Sequence, residues 1–443
     1  MTINMQTIDL VIEASWVIPI VPVNTVLKDH AIAINQGKIV ALTPSAEINS
    51  RFQAKQRLLL DKHILMPGLI NAHGHIAMSL LRGYGDDLPL QRWLEECIWP
   101  AETKYVDEQF VEVGAELAIA EMIRSGTTCF SDMYFFPNQT AKVARQSQIR
   151  CQIAFPVLEF PSSWAADADS YISKGLALYD DYRAQPLINI CFGPHAPYTV
   201  SDKTFKRIAP LAIELQAGIQ VHLHETANEI NQSMNDYGCR PLQRLTNLGI
   251  LTPQTQCVHM TQVNHEDIDL LTDNGCHVVH CSESNLKLAS GFCPVTKLTD
   301  AGVNVAIGTD SCASNNNLDL FGELHTASLL AKAVAEDASA LNSHQALAMA
   351  TINGARALNI DEQVGSLEVG KAADIIAIAV DDLEQTPLYD PASALVYTHN
   401  GHRVTHSWVQ GKPLMSDRQL LTINKEEIML KVDFWQKKLR NKK

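Results

Sequence analysis

The sequence predicts an α/β protein, a TIM-like (β/α)8 barrel with a small β-sandwich domain formed from both ends of the chain. Between about residues 69 and 360, eight short apolar runs alternate with helical patterns, as expected of such a barrel. Both ends instead show alternating strand-like segments with few helical ones, which is typical of a β domain. We therefore predict three parts: residues 1–65 as the first part of the sandwich, 66–365 as the barrel, and 366–443 as the second part and a C-terminal helix.

The sandwich strands come from five segments of the 443-residue chain. Three are near the start, in LVIEASWVIPIV, HAIAINQGKIVALT with its Gln36-Gly37 turn, and RLLLDKHILMPG. Two are near the end, in KAADIIAIAV and HRVTHSWVQGKPLM. Because the same strand-like pattern occurs at both ends of the chain, we expect the two ends to pair into one sandwich.

The eight barrel strands are predicted from β-branched runs, each followed by polar residues. They lie in GLINAHGH, GTTCFSDM, IRCQIAFPV, INICFGPHAP, GIQVHLHET, TQCVHMT, GCHVVHCSES and VNVAIGTDS. Helical patterns such as EQFVEVGAELAIAEMIRSG and FKRIAPLAIELQAG separate them and end in Gly, a common helix C-cap. The basic tail WQKKLRNKK is predicted to be a solvated, frayed helix end.

Composition and charge indicate which binding partners and which cellular location to expect. Lys and Arg number 35 against 49 Asp and Glu, a net charge of −14 that disfavours nucleic acid and anionic membrane surfaces. No apolar run approaches the roughly 18 residues of a membrane span, and no basic residue precedes Lys28 as in a secretory signal. We expect a cytoplasmic homo-oligomer whose ten cysteines, with no C-x-x-C among them, are reduced.

Metal-binding side chains concentrate at the predicted carboxyl ends of the strands, where barrel enzymes build their sites. Strand one ends in His73-Gly74-His75, and residues i and i+2 of a strand share a face. The other such residues are His222, His224 and Glu225 on strand five, His259 on strand six, His280 on strand seven and Asp310 on strand eight. Five of eight strands ending in this way predicts a shared site.

Three histidines and one aspartate are a typical ligand set for one Zn²⁺ ion, and Fe²⁺ and Mn²⁺ can use the same ligands. Such an ion lowers the pKa of bound water to about 7 and so provides a hydroxide nucleophile. Asp310 is placed to contact the ion and accept the water proton, and Glu225 to carry a proton to a substrate. The reaction class predicted from these residues is metal-assisted hydrolysis.

Longer motifs resemble those of the metal-dependent amidohydrolase superfamily. They are PGLINAHGHIAM, VHLHET, HCSESNLKLASG and GTDSCASNNNLDLFGE, and the likeness spans essentially the whole chain. Within the superfamily the chain is most similar to the 5-methylthioadenosine/S-adenosylhomocysteine deaminases and their chlorohydrolase relatives. The run LLRGYGDDLPLQRWLEECIWPAE resembles the lid-like segment that these enzymes place after the first strand. The resemblance implies hydrolytic deamination of 5′-methylthioadenosine, S-adenosylhomocysteine or both, with adenosine as a further candidate.

The resemblance also implies a role for each residue that matches a family motif. Glu225 corresponds to the residue that protonates purine N1, and His259 to the one that polarises the attacking water and steadies the tetrahedral intermediate. Glu102 corresponds to the carboxylate that binds both ribose hydroxyls, and His195, in GPHAPYTV, to a residue near the purine. The implied metal ligands are His73, His75, His222 and Asp310.

The sequence differs from the family pattern at two places, and three alternative functions remain open. Many relatives carry an Arg near the 5′ side of the substrate where this chain reads Arg150 to Phe155, so we expect an aromatic contact there and hypothesise a preference for methylthioadenosine. The family's H-N-P-x-S-N-L-K is HCSESNLK here, which leaves His280, like His224, without an assigned role. The alternatives are a deaminase of a free base such as guanine or pterin, a triazine chlorohydrolase, and a non-enzymatic, metal-stabilised binding protein.

Overall fold

Two eight-stranded sheets form the framework of the protein. The computed structural model describes residues 5–398 and 400–440. The strands are β1 Gln6–Val17, β2 Leu27–Asn35, β3 Lys38–Pro44, β4 Phe52–Pro67, β5 Leu69–Asn71, β6 Thr127–Asp132, β7 Arg150–Val157, β8 Ile188–Pro194, β9 Ile219–Leu223, β10 Thr255–His259, β11 His277–His280, β12 Asn304–Ile307, β13 Ile375–Ala379, β14 Val404–Val409, β15 Lys412–Ser416 and β16 Gln419–Leu420.

Strands β5 to β12 form a parallel barrel in which sequential strands are neighbours. The last strand returns to the first, since the Ala72 amide donates to the Ile307 carbonyl at 3.0 Å and the Asp310 amide to the His73 carbonyl at 3.1 Å. All eight strands fall within the predicted runs, so the predicted barrel is confirmed. Their carboxyl ends meet on one face, which is where the polar residues of the sequence analysis come together.

Helices cover the outside of the barrel and follow most of its strands, except that the first helix in the chain packs against β2, β3 and β4. They are α1 Ser45–Arg51, α2 Leu90–Trp93, α3 Trp99–Tyr105, α4 Glu108–Arg124, α5 Pro137–Ser147, α6 Ala168–Tyr182, α7 Asp202–Leu215, α8 Ala227–Tyr237, α9 Pro241–Asn247, α10 His265–Asp273, α11 Ser282–Lys287, α12 Val295–Asp300, α13 Leu320–Ala335, α14 Ser343–Met349, α15 Ile352–Ala357, α16 Pro391–Tyr397 and α17 Lys425–Arg440. Short 3₁₀ segments lie at Ile76–Leu81, Leu383–Gln385 and Gly401–Arg403, and a π-helical turn, Leu94–Ile98, joins α2 to α3. Among the described residues, we find no helix with the length and apolar character that a bilayer crossing requires.

The strands from both ends of the chain combine into the second sheet, in the order β16-β15-β14-β13-β4-β1-β2-β3. The junction is β4, which pairs in parallel with β1 and antiparallel with β13. This confirms that the two ends pair. The division at residues 65 and 365 stays a prediction. The first boundary falls inside β4, which runs through Gly68 into the barrel with only one residue between the two sheets.

A buried ion pair connects the barrel to the terminal sheet. Arg150, at the start of β7, donates from Nε to Asp374 Oδ2 at 3.0 Å, and the two side chains are 4% and 3% exposed. Asp374 Oδ1 also accepts the Gln410 backbone amide at 2.8 Å. Because a buried guanidinium without its partner is costly, the interface between the two sheets depends on this carboxylate.

Asp374→Ala is therefore expected to lower the free energy of unfolding by about 3–5 kcal/mol, the usual effect of breaking a buried pair from one side. Urea unfolding followed by circular dichroism measures it. Asp180→Ala is the matched control, because Asp180 pairs with Arg183 on the surface at 3.8 Å and exposed pairs contribute at most about 1 kcal/mol. Equal, small effects of both substitutions would contradict the role given to Asp374.

The C-terminal helix is integrated into the fold, so the prediction of a solvated tail is wrong for its described part. Trp435 is 1% exposed and packs edge-on against Phe110 of α4, with ring centroids 5.2 Å apart. The same hydrophobic cluster contains Trp93 and Tyr105. The buried apolar residues of α17 are Ile428, Trp435 and Leu439, and many of the residues around them are charged. The last three residues of the WQKKLRNKK segment lie outside the described part of the chain.

Candidate active site

A cavity of about 600 Å³ opens at the carboxyl ends of the barrel strands. Seven of the eight predicted site residues line it, and the eighth, His73, lies at its floor with no exposed surface. The seven are His75, Glu102, His195, His222, Glu225, His259 and Asp310. Residues up to 237 positions apart in the sequence thus come together on one face of the barrel (310 − 73 = 237).

Four ligand atoms converge at the floor of this cavity. His222 Nε2 lies 3.2 Å from the Nε2 atoms of both His73 and His75. Asp310 Oδ1 lies 3.5 Å from His73 Nε2 and 3.3 Å from His75 Nε2. A metal with ligand distances of about 2.0–2.1 Å separates tetrahedral ligands by about 3.3 Å. The four atoms therefore have the spacing of ligands around one ion.

The hydrogen bonds of the three imidazoles favour the same conclusion. Each ring turns its Nδ1 towards an oxygen acceptor, which assigns the hydrogen to Nδ1 and leaves a lone pair on Nε2. The acceptors are Gln220 Oε1 at 2.8 Å from His73, Met133 O at 2.6 Å from His75 and His195 O at 2.7 Å from His222. Three lone pairs and a carboxylate repel one another unless a cation lies between them. The donor set therefore fits a divalent metal with imidazole and carboxylate ligands.

Asp310 is held firmly on its side of the cluster. Its Oδ2 accepts from the Ser284 hydroxyl at 2.6 Å and the Ser314 hydroxyl at 2.8 Å, which leaves Oδ1 to face the imidazoles. Gly308 permits the close approach of the two strand ends, since a Cβ there would lie 2.8 Å from the His73 nitrogen.

Glu225 and His259 lie on the rim of the cluster. His259 Nε2 is 3.9 Å from Glu225 Oε2, and a ring nitrogen of His259 is within 4.8 Å of the ligand atoms of His73 and His222. Burial raises the pKa of Glu225 to about 8. A carboxyl group with that pKa holds a proton at neutral pH, which suits a general acid.

The upper part of the cavity carries Glu102 and His195. Glu102 projects from α3 and accepts a hydrogen bond from the Tyr134 hydroxyl at 2.8 Å, while desolvation raises its pKa to about 7. The ring of His195 lies 4.9 Å from that of His222, and its Nδ1 contacts Thr199 Oγ1 at 3.0 Å. Burial lowers the pKa of His195 to about 3, so the ring is neutral.

Two histidines singled out by the sequence lie outside the cluster. By strand alternation His224 would share the face of His222, but β9 ends at Leu223 and His224 has a left-handed backbone with φ of 53°. Its ring turns to the Gln262 carbonyl at 3.1 Å and the Leu242 amide at 3.0 Å. His280 is buried without a hydrogen-bond partner among the described residues and does not line the cavity.

The expected aromatic contact at the 5′ side does not come from Phe155. This ring is 1% exposed and packs against Phe192 inside the barrel, with centroids 4.9 Å apart. Arg150 lies at the opposite end of the same strand, in the ion pair with Asp374. Aromatic side chains in the cavity come instead from α2, from α3 and from the segments that follow β6, β7 and β8; they are Trp93, Trp99, Tyr134, Phe135, Phe160 and Tyr198.

Several residues that position these groups were missed by sequence reasoning. Glu229 is buried and its carboxylate accepts the backbone amides of His224 at 2.9 Å and Glu225 at 2.8 Å. Asn285 Oδ1 contacts His259 Nδ1 at 2.8 Å. Gln220 had a usable signal, because it precedes His222 by two residues on the same strand face. No pattern in the sequence indicated the hydrogen-bond partners that lie on other segments of the chain.

The sequence of the cluster region matches a known protein family. The model of the amidohydrolase family matches residues 64–414, which include every residue of the cluster. The chain belongs to the amidohydrolase family. It is 54% identical over 437 residues to the 5-methylthioadenosine/S-adenosylhomocysteine deaminase of Saccharophagus degradans, covering 99% of this chain and 98% of that protein. It is 51% identical over 440 residues to the protein of that name from Teredinibacter turnerae, covering 99% and 100%.

Solved structures place this amidohydrolase beside zinc-containing relatives. An adenosine deaminase from Xanthomonas campestris with bound zinc superposes with a TM-score of 0.98 at 45% identity, over 99% of this chain and 100% of that one. Atrazine chlorohydrolase from Arthrobacter aurescens, complexed with zinc, has a TM-score of 0.90 at 23% identity, over 96% and 100%. The second likeness shows the fold alone.

Proposed function

We propose that this amidohydrolase is a metal-dependent hydrolytic deaminase of adenine nucleosides. Its substrates are 5′-methylthioadenosine, S-adenosylhomocysteine or both, with adenosine as a further candidate. Water replaces the amino group at C6, which gives the inosine derivative and ammonia, so the enzyme hydrolyses a carbon–nitrogen bond of a cyclic amidine. The observation that carries the proposal is a buried Glu225 beside the cluster of three imidazoles and Asp310, with a second carboxylate, Glu102, in the same pocket. The names of the most similar full-length relatives support it.

One divalent ion per subunit, with Zn²⁺ the first candidate and Fe²⁺ or Mn²⁺ the others, is proposed to be held by His73, His75, His222 and Asp310. The zinc in a relative of 45% identity supports this choice of metal. When bound, such an ion supplies a nucleophile at neutral pH by lowering the pKa of water towards about 7.

The protein's own groups move the protons. Glu225 holds a proton at pH 7 and delivers it to purine N1, which makes the neighbouring C6 more electrophilic. Asp310 accepts the proton that the attacking water loses, and His259 polarises that water and steadies the tetrahedral carbon. Asp310 then gives that proton to the amine, and the bond from C6 to nitrogen breaks to release ammonia. The C6 hydroxyl loses its proton to Glu225, which restores the protonated carboxyl group and leaves a carbonyl at C6 and a hydrogen on N1.

Binding is assigned to the upper part of the pocket. Glu102 accepts hydrogen bonds from both ribose hydroxyls, and Tyr134 fixes its orientation. His195 contacts the purine from the end of β8. We also propose the cytoplasmic location and homo-oligomeric state predicted from the sequence, with a small nucleoside as the partner and neither nucleic acid nor membrane.

The test is ammonia release by the purified, metal-loaded protein with 5′-methylthioadenosine, S-adenosylhomocysteine, adenosine and guanine. We expect release from at least one of the nucleosides, its loss with a chelator and its return with added Zn²⁺. Release from guanine alone would replace the nucleoside assignment with that of a free-base deaminase. Equal rates with and without metal would overturn the proposed mechanism.

Glu102→Gln is expected to lower kcat/KM for nucleosides by about 10- to 100-fold, because hydrogen bonds to a charged acceptor contribute roughly 1.5–3 kcal/mol. Most of the change is expected in KM. Steady-state assays of both nucleosides and free bases measure it, since guanine, pterins and triazines offer no ribose diol. An unchanged kcat/KM for nucleosides would contradict the assignment of Glu102.

A further inference from the structure

One wall of the pocket is a face of the helical segment 90–105, which comprises α2, the π-helical turn and α3 and also carries Glu102. This face contributes Leu90, Trp93, Leu94, Ile98 and Trp99. Leu90, Leu94 and Ile98 follow one another at intervals of four, the spacing that places side chains on one side of a helix. The wall beside Glu102 is therefore continuous and apolar.

The facing wall is the stretch after β7. It contributes Pro156, Leu158, Phe160, Pro161, Ser162 and Ser163. The two walls approach each other where the rings of Trp99 and Phe160 lie 6.5 Å apart at an interplanar angle of 62°. Phe160 is 43% exposed, so its ring is accessible to a substituent that enters between the two walls. Together these walls form a subsite of aromatic, aliphatic and hydroxyl groups.

The subsite lacks positive charge. No Lys or Arg is among the described residues that line the cavity, whereas Glu102, Glu225 and Asp310 are. The two cations of the wall helix are engaged elsewhere. Arg92 pairs with Glu96 at 2.7 Å, and the Lys104 ammonium lies 5.1 Å from the centre of the Tyr105 ring.

We infer that this subsite accepts a neutral, apolar 5′ substituent, such as a methylthio or longer alkylthio group, and discriminates against one that ends in an amino-acid zwitterion. The inference rests on the proposed function, because a purine at Glu225 and a ribose at Glu102 direct the 5′ group to these walls. Thioether sulfur packs favourably on aromatic rings. A carboxylate placed here loses hydration and gains no cationic partner.

The decisive measurement compares kcat/KM of the metal-loaded enzyme for three thioethers: 5′-methylthioadenosine, 5′-butylthioadenosine and S-adenosylhomocysteine. The butyl compound has the same four-carbon chain on sulfur as homocysteine without its ammonium and carboxylate groups. We expect the kcat/KM values of the first two substrates to lie within about tenfold of each other. The kcat/KM of S-adenosylhomocysteine is expected to be at least about 100-fold lower, which reflects weaker binding of its transition state. S-Adenosylhomocysteine is also expected to inhibit methylthioadenosine turnover only weakly.

Each other outcome is informative. S-Adenosylhomocysteine within tenfold of methylthioadenosine, or tight inhibition by it, overturns the inference and leaves the proposed function intact. Poor turnover of both the butyl compound and S-adenosylhomocysteine assigns the selectivity to size and also overturns it. If the enzyme deaminates none of the three thioethers and no adenosine, the proposed function itself fails.

A charge introduced at the rim gives a second test. Ser163→Arg is expected to raise the ratio of kcat/KM for S-adenosylhomocysteine to that for methylthioadenosine by at least about tenfold relative to Ser163→Gln, its neutral control of similar length. Ser163 suits this purpose because it is exposed and lines the cavity. The same ratio in both variants counts against the placement of the amino-acid tail along this wall.

Discussion

Replacing Glu225 with glutamine is expected to reduce kcat by about 10²- to 10⁴-fold, the usual contribution of a general acid or base. Glutamine has nearly the same shape and can still accept the Ser290 hydroxyl hydrogen bond, which is 3.2 Å long in the structure. It has no proton to deliver to the purine ring. Because Glu225 is outside the four-atom cluster, the metal content is expected to stay the same. Steady-state kinetics and elemental analysis of one preparation measure both quantities.

Glu266→Gln is the control for this experiment, since Glu266 is exposed at the start of α10, away from the cavity. We expect it to leave kcat unchanged. The non-enzymatic alternative, a metal-stabilised binding protein, makes the opposite prediction for Glu225, namely that its replacement has no functional effect. A Glu225→Gln variant with unchanged kcat and unchanged metal content would therefore contradict the role of Glu225 as a general acid.

The second large effect is expected from His222→Asn. His222 Nε2 is the atom that lies 3.2 Å from both other imidazoles, so its loss opens the centre of the cluster. Loss of an outer hydrogen-bond partner already lowers metal affinity by about 10- to 100-fold; we expect loss of this ligand to exceed that range. Activity should fall by at least about 10³-fold, since the metal provides several kcal/mol of transition-state stabilisation. Metal titration and ammonia release measure the two effects.

His224→Asn is the matched control, because it changes the same residue type two positions away on a ring that faces Leu242 and Gln262. It is expected to cost stability, through the lost contacts of a buried side chain, while the protein still binds one metal per subunit. Equal metal loss in both variants would mean that replacing His222 disturbs the protein structure and does not remove a metal ligand. Full metal in the His222 variant would exclude His222 as a ligand.

The barrel could be predicted because its strands are encoded locally. Runs such as VNVAIG and GIQVHL are short and rich in apolar, β-branched residues, as is typical of parallel strands covered by helices. The C-terminal helix was predicted, but its burial could not be, because Trp435 and Leu439 are separated by charges and their partners lie on α4 and the 90–105 segment. Burial there is decided by a distant surface that the local sequence does not contain.

The sequence predicted which residues form the candidate site, but it predicted their arrangement less well. The pairing of His73 with His75 was argued from strand alternation, yet β5 ends at Asn71 and both residues lie beyond it. Alternation failed outright for His224, where the backbone turns left-handed. The hydrogen bond from Ser284 to Asp310 depends on α11 meeting the loop after β12, and the spacing of these residues in the sequence does not predict that contact.

The burial of Trp435 has a consequence for biosynthesis. Glu102 is translated early, but the hydrophobic cluster that supports its helix is completed only by residues made late. All eight barrel strands, which end at Ile307, are thus synthesised before the residues that complete the support of the wall carrying Glu102. A truncation that removes Trp435 and Leu439 is expected to weaken the packing of this wall.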